Sequence, residues 1–435
     1  MLNRPEYRKA LVFCGLIGIP VALIAFWFLV AVDKLERLVW TEWPRDLGWE
    51  EAPWWWGLPL LTLAGLVVGL VVARLPGRGG HLPAAGLHSG GVTEEALPGV
   101  VVAAVVGLPL GVVLGPEAPL IALGGGLALL FASLVRAPQT DASRALLAAA
   151  GSAASISALF GNPVVGAVLL MEVAGVGGPQ LFAVMLPALL ASGIGDMIFT
   201  GFVNWTGFET GSLDIGLPEP PPLDWPDVLW VLVLAPVIAF VVHWIFVGGR
   251  FTAGFVTTHT VRNTTLCGIG VAVCVTLYAV STGRSPAEAA LSGESTLSEL
   301  AKDPHAWSVG ALVAVLAFKA LAYSVSLGSL RGGPIFPSLF LGGAAGALVA
   351  PLPGLGLVPA MAAGMAASVT AALRVPVSSV VLVVLLLGNV DTVALVVLAT
   401  VLSFVVTEML PQGPAIPPFS EPASGRARRP GSKRP

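Results

Sequence analysis

The stretch Leu114-Gly115-Pro116-Glu117-Ala118-Pro119-Leu120 decides the fold, because it sets one carboxylate and two prolines between the uncharged apolar runs 96–114 and 120–135. A lone carboxylate at membrane depth is expensive and is retained where it faces a cavity or an ion path. Pro116 and Pro119 suit the first turn of a helix, where a missing N–H would have no partner in any case, and Gly115 lets the chain turn in ahead of them. The stretch therefore reads as a helix N-terminus inside the bilayer. Free N–H groups and the positive end of the helix dipole meet there, which favours an anion.

Composition agrees with a membrane setting. Hydrophobic residues make up 56% of the 435 and charged residues 11%, with a mean hydropathy of +0.88. Soluble domains carry roughly a quarter of their residues as charges. The chain is thus an all-α polytopic membrane protein. Its 52 glycines and 36 prolines exceed what simple spanning rods need and predict broken and re-entrant helices, whose freed backbone groups are satisfied within protein or a wet cavity. A net charge of −3 argues against a nucleic-acid partner. Cys14, Cys267 and Cys274 lie singly in apolar runs without metal-ligand spacing, so neither a metal nor a cofactor is expected. Residues 10–32, after Arg8 and Lys9, are too long for the apolar core of a signal peptide and no small-residue cleavage site follows; they read as the first retained span.

Charge placement sets the topology. Arg4, Arg8 and Lys9 at one end, and Arg426, Arg428, Arg429, Lys433 and Arg434 at the other, place both termini in the cytoplasm of a plasma-membrane protein. The loop 40–56, with six tryptophans and mostly acidic charges, and the connection 201–227, with five acids and no Lys or Arg, belong outside. The chain then divides into a first half over 1–210, an external linker over 211–227, a second half of opposite topology over 228–412 and a basic tail over 413–435. The halves also resemble each other. Gly115-Pro-Glu-Ala-Pro119 with Leu123-Gly124-Gly125 recurs 218 residues later as Gly333-Pro-Ile-Phe-Pro337 with Leu341-Gly342-Gly343. Gly151 to Ala158 and Pro163-Val164 recur 213 residues later as Gly364 to Ala371 and Pro376-Val377. A weaker pair, Gly80-His-Leu-Pro-Ala84 and Gly283-Arg-Ser-Pro-Ala287, lies upstream. An inverted repeat puts a substrate near the midplane, where half-helix N-termini converge.

Three Gly/Pro-marked breaks are candidate anion-binding segments. They are Gly79-Gly80-His81-Leu82-Pro83, Gly115-Pro116-Glu117-Ala118-Pro119 and Gly333-Pro334-Ile335-Phe336-Pro337. Backbone N–H groups can dehydrate a halide while holding it weakly enough for release. The same breaks could instead be kinks that let helices pack closely. Glu117 would sit where an anion sits, as a tethered competitor that gates the path by swinging away or taking a proton. Lys319 either draws anions toward the path or is a structural lysine. Glu172, at the end of an apolar segment, is a further candidate for the pore or a proton path.

At these residues the chain resembles the CLC chloride channels and transporters over nearly its whole length. Gly79 to Pro83 is similar to the family's GSGIP, Gly115 to Pro119 to its GREGP and Gly333 to Pro337 to its GxFxP, while Phe160-Gly161-Asn162-Pro163-Val164-Val165-Gly166-Ala167 and Met171-Glu172 resemble the segment after the gating glutamate. The spelling is closest to a divergent bacterial branch of ion-transport proteins. The resemblance implies a CLC-type inverted repeat of two antiparallel halves, a homodimer with a pore in each subunit, and Glu117 as external gate. It also exposes departures. Gly80 replaces the serine of the first motif, Ile335 the phenylalanine of the third, and Phe419 stands where a pore tyrosine is expected. Val173 occupies the register of the internal glutamate of proton-coupled members. These features favour passive chloride conductance, with a proton-coupled antiporter as the alternative and a carrier of small organic anions behind it. An intramembrane hydrolase built on Glu117 lacks a second acid, base or nucleophile, and a purely structural scaffold has no need of Glu117.

Overall fold

Glycine and proline breaks cut the apolar runs into helices of unequal length. The structure, a computed structural model, describes residues 5–87, 92–136, 140–175, 179–208, 215–218, 223–389 and 391–417. Phe419, the basic tail from 418 onward and most of the acidic connection 209–222 lie outside the described residues. The first half contains α1 (Pro5–Arg37), α2 (Trp43–Asp46), α3 (Gly57–Arg74), α4 (Leu97–Gly107), α5 (Glu117–Leu134), α6 (Asp141–Phe160), α7 (Pro163–Val173) and α8 (Pro179–Thr206). The second contains α9 (Trp225–Thr258), α10 (Thr260–Thr282), α11 (Glu294–Lys302), α12 (Val309–Ser329), α13 (Ile335–Val349), α14 (Leu357–Leu373), α15 (Pro376–Leu387) and α16 (Val393–Met409). Among the described residues eight helical stretches are long and apolar enough to cross a membrane. Others, α7 with 11 residues and α15 with 12, fall short of the roughly 20 that a crossing needs. They are the half-helices that the sequence predicts.

Capping chemistry explains several ends. Asn162 accepts the Val164 N–H and places Pro163 at the first position of α7, while Asp224 and Asp227 form a capping box at the start of α9. Gly161 closes α6 in the left-handed conformation. Its repeat counterpart after α14 is Arg374, in the same conformation with φ 58°.

Both halves use one crossing device. Helices α5 and α6 meet where Gly124 and Gly151 abut, so that a Cβ on either would strike the other's carbonyl, and α13 and α14 meet in the same way at Gly342 and Gly364. Small residues let backbones approach closely where lipid supplies no hydrophobic drive. The crossing α5–α6 is reinforced by Ser152 Oγ and Ser155 Oγ, which donate to the carbonyls of Ile121 (2.8 Å) and Leu120 (2.7 Å). Each breaking segment is therefore held from behind by a rigid neighbour.

The tryptophan-rich loop departs from a simple aromatic belt. A five-residue π-helical segment, Leu38–Glu42, continues α1 and turns Trp40 inward, where its Nε1–H donates to Pro109 O at 2.9 Å. Trp56 is also buried and donates to Val39 O. These two indoles staple the loop to the protein, whereas Trp43, Trp49 and Trp54 stay exposed.

Candidate functional site

Two of the three expected breaks meet. The backbones of Gly115 and Gly333 pair reciprocally, with Gly115 N–H donating to Gly333 O at 2.8 Å and Gly333 N–H donating to Gly115 O at 2.6 Å. This antiparallel bridge places the N-termini of α5 and α13 side by side. Their N-caps, Pro116 and Pro334, offer no capping side chain. The first-turn N–H groups of α13 are thus left for another acceptor.

Glu117 takes that place. Its carboxylate is fully buried and its Oε1 accepts the Phe336 N–H at 2.6 Å, with the N–H groups of Ile335 and Glu117 itself also directed at it. Oε2 has no hydrogen-bond partner among the described residues. The seat is shaped by absent side chains, since a Cβ on Gly115 or Gly333 would overlap the carboxyl group. Behind it, the buried Tyr323 hydroxyl donates to Pro334 O at 2.8 Å and lies 3.0 Å from Ser338 Oγ, which also reaches Pro334 O. The Phe336 ring stacks on Phe160 at 5.7 Å between centroids. A carboxylate on backbone N–H groups at a helix N-terminus occupies an anion site without any full positive charge.

The other expected residues have different surroundings. Pro119 is buried in the first turn of α5, next to Ala118, and Pro337 is buried in the first turn of α13. At the first motif, the helix start expected from Gly79 to Pro83 is reduced to a three-residue 3₁₀ turn, Pro83–Ala85. Gly79 and Gly80 have φ values of 72° and 95°, conformations that glycine adopts without strain. His81 is exposed while Leu82 and Pro83 are buried. This turn is tied to the third break by Arg331, which is buried and donates from Nε to Arg78 O at 3.1 Å.

Lys319 is structural in its contacts. Its Nζ donates to the carbonyls of Glu288 (3.0 Å) and Ala290 (2.6 Å) and lies over the Phe340 ring, pinning the 288–290 loop onto α12. Glu172 caps a helix of the other half: its carboxylate accepts the N–H groups of Val377 (3.0 Å) and Ser378 (2.6 Å) and the Ser378 hydroxyl. Val173 is half-buried beside it at the end of α7.

A cavity of about 1030 Å³ leads from Arg45, Glu50 and Glu51 past Glu36 and Glu294 to Leu114 and Pro116, next to the Glu117 seat. Acids outnumber bases along it. Burial, with the nearby charges of Glu36, Glu117 and Asp33, pushes the Glu294 carboxyl up to about 8.

The sequence reading did not single out Arg331, Tyr323, Glu36 or Glu294. Arg331 carried a signal, being a charge set against Gly332-Gly333 in an otherwise apolar run. The others gain their position only from long-range packing.

Fold and site together define a helical membrane transport protein with an inverted repeat and an anion seat at its midplane. The family model described as voltage gated chloride channel matches residues 64–408, and the chain belongs to that family. Among its relatives, the Putative ion-transport protein YfeO of Escherichia coli (strain SMS-3-5 / SECEC) is 29% identical over 337 residues, 77% of each chain. Its counterpart in Salmonella newport (strain SL254) is 34% identical over 158 residues, 36% of this chain and 38% of that one. Among solved structures, a slow cyanobacterial Cl−/H+ antiporter superimposes with a TM-score of 0.74 at 17% identity, covering 92% of this chain and 94% of that one. A CLC-type fluoride/proton antiporter gives 0.72 at 20% identity, covering 93% and 97%. At these identities the structural likeness establishes the fold.

Proposed function

We propose that this chain carries small inorganic anions, chloride first among them, along a path that Glu117 closes. One observation carries the reading: the Glu117 carboxylate rests on the Phe336 N–H at 2.6 Å, between Gly115 and Gly333, on a helix terminus with no other cap. A transported anion competes for those N–H groups, and the gate opens when the carboxylate leaves or is protonated. A homodimer in the plasma membrane, with a path in each subunit and both termini in the cytoplasm, belongs to the same reading. So does the assignment of residues 1–210 and 228–412 as the two transport halves.

Passive conduction is favoured over exchange. Val173 cannot relay a proton, and Glu172 is engaged by three donors at the start of α15. Proton-coupled exchange is the second reading, supported by the acids that line the cavity down to Pro116 and by the antiport named for both structural neighbours.

Chloride efflux from liposomes, with internal pH recorded, separates the two. Loss of chloride with valinomycin and no coupled proton movement supports conduction. Proton uptake driven by a chloride gradient without a leak overturns it in favour of exchange, and no flux of any small anion removes the transport reading.

A further inference from the structure

A second cavity, of about 180 Å³, opens at the opposite end of the molecule from the Trp-rich loop. On one side it is walled by residues 84–87, which directly follow the first glycine-rich turn, and on the others by α9 and the end of α14. Its charged and titratable lining is Arg250, Arg374 and His243, with no carboxylate among the described residues. The three groups lie close enough for their charges to be felt by one another. Arg250 has one weak contact, a 3.5 Å hydrogen bond to Gly413 O, and His243 Nε2 lies 3.1 Å from Pro411 O. Arg374 meets Glu408 at 3.2 Å in a half-exposed pair.

Arg374 is the telling residue. It occupies the left-handed cap of α14 with φ 58°, where its counterpart in the first half is Gly161 with φ 59°. Arginine is disfavoured in this conformation and glycine adopts it freely. A half-exposed ion pair with Glu408 offers little in return. Two guanidinium groups brought to one small cavity, in an otherwise apolar wall at the entrance to the first break, match a small inorganic anion.

We propose that Arg250 and Arg374 form an anion-recruiting site at the cytoplasmic mouth, where a halide-sized, partly hydrated anion docks before passing the Gly80–Pro83 turn. The site deepens the reading of an anion path and rests on it for the direction of passage. Segment 411–417, held by His243 and Arg250, forms its rim.

Bromide is the probe for occupancy. Crystals of the full chain grown with bromide should show an anomalous peak between the two guanidinium groups, lost in Arg250→Gln and kept in Arg250→Lys. Exchange of radiolabelled chloride in liposomes, with equal chloride on both sides, reads the consequence. Arg250→Gln and Arg374→Gly, the latter keeping the left-handed turn, should each raise the half-saturating chloride concentration by about five- to tenfold at low ionic strength. The maximal rate should hold, and the difference should shrink when impermeant salt is added. Bromide in the cavity without chloride flux in the native protein would keep this site and remove the transport reading. Native flux with an empty cavity and an unshifted half-saturation would overturn the site. A fall in maximal rate alone, shared by Arg250→Lys, would overturn it too, because it would reduce Arg250 to a support for the 411–417 segment.

Discussion

Gly115→Ala should open the path. A Cβ built at Gly115 meets only the Glu117 carboxyl group among its nearest neighbours, with Cδ and Oε1 each at 2.6 Å. These are the far end of a flexible side chain, so the carboxylate yields and the backbone stays. Gly115 does not have a left-handed φ, and alanine adds no conformational strain there. The closed state loses the hydrogen bond from Phe336 N–H to Glu117 Oε1, and a bond of this kind to a charged group contributes about 1.5–3 kcal/mol. The ratio of closed to open gate should fall by roughly 10- to 150-fold, at 1.4 kcal/mol per factor of ten. Chloride efflux from liposomes is the assay, and flux should rise until the open gate is the dominant population. On a Glu117→Ala background the same change should add nothing, because the group it displaces is gone. Gly333→Ala is the harsher probe, since its Cβ also comes to 2.9 Å from Ala118 N and forces the backbone to shift. Native flux in correctly folded Gly115→Ala would refute the reasoning.

Three further outcomes follow from the surrounding contacts. Glu172→Ala removes the acceptor shared by Val377 N–H, Ser378 N–H and Ser378 Oγ; thermal unfolding in detergent should register a loss of about 2–3 kcal/mol while flux per folded molecule is retained, and lost flux at full stability would make Glu172 a path residue instead. Lys319→Met leaves the carbonyls of Glu288 and Ala290 without their donor; it should cost about 1–3 kcal/mol of stability with anion affinity unchanged, and the reverse pattern would return Lys319 to the pore. Glu294, raised to about 8, is neutral below that pH and adds a negative charge beside the anion entrance above it. Flux should therefore decline as pH rises through about 8 on that side, and Glu294→Gln should flatten the decline. The stability linked to its bound proton is fully present below the ordinary carboxylate range and is lost as pH rises through about 8; a pH profile shared by native and Glu294→Gln protein would discard the assignment.

What was legible in the sequence was what depends on local backbone chemistry. A carboxylate between prolines at membrane depth, and its echo 218 residues later, point to paired helix starts because few other arrangements tolerate that composition. The same reading fails where a partner comes from far along the chain. The donor to Glu117 is 219 residues away, that of Arg331 to Arg78 spans 253, and Glu172 serves a helix more than 200 residues distant. Lys319 was left between pore and structure because a lone lysine in an apolar run has the same spelling in both roles; the two carbonyls that hold it are brought in by a loop. The first motif carried the glycines of a sharp turn, and they do turn the chain, but Gly86, with φ 87°, ends the 3₁₀ turn before a half-helix can form. Trp40 and Trp56 looked like belt residues by composition and became staples because a π-helical segment rotates Trp40 toward Pro109.

Bromide diffraction on native protein and on Glu117→Ala tests the central claim most directly. In the native chain the Phe336 N–H is taken by Glu117 Oε1, so no bromide peak should appear at that N–H. In Glu117→Ala a peak should appear within about 3.5 Å of Phe336 N, in the space the carboxylate vacates. A native peak coexisting with the seated carboxylate, or an empty seat in the variant at bromide concentrations that saturate flux, would contradict the view that Glu117 competes with the transported anion for one site.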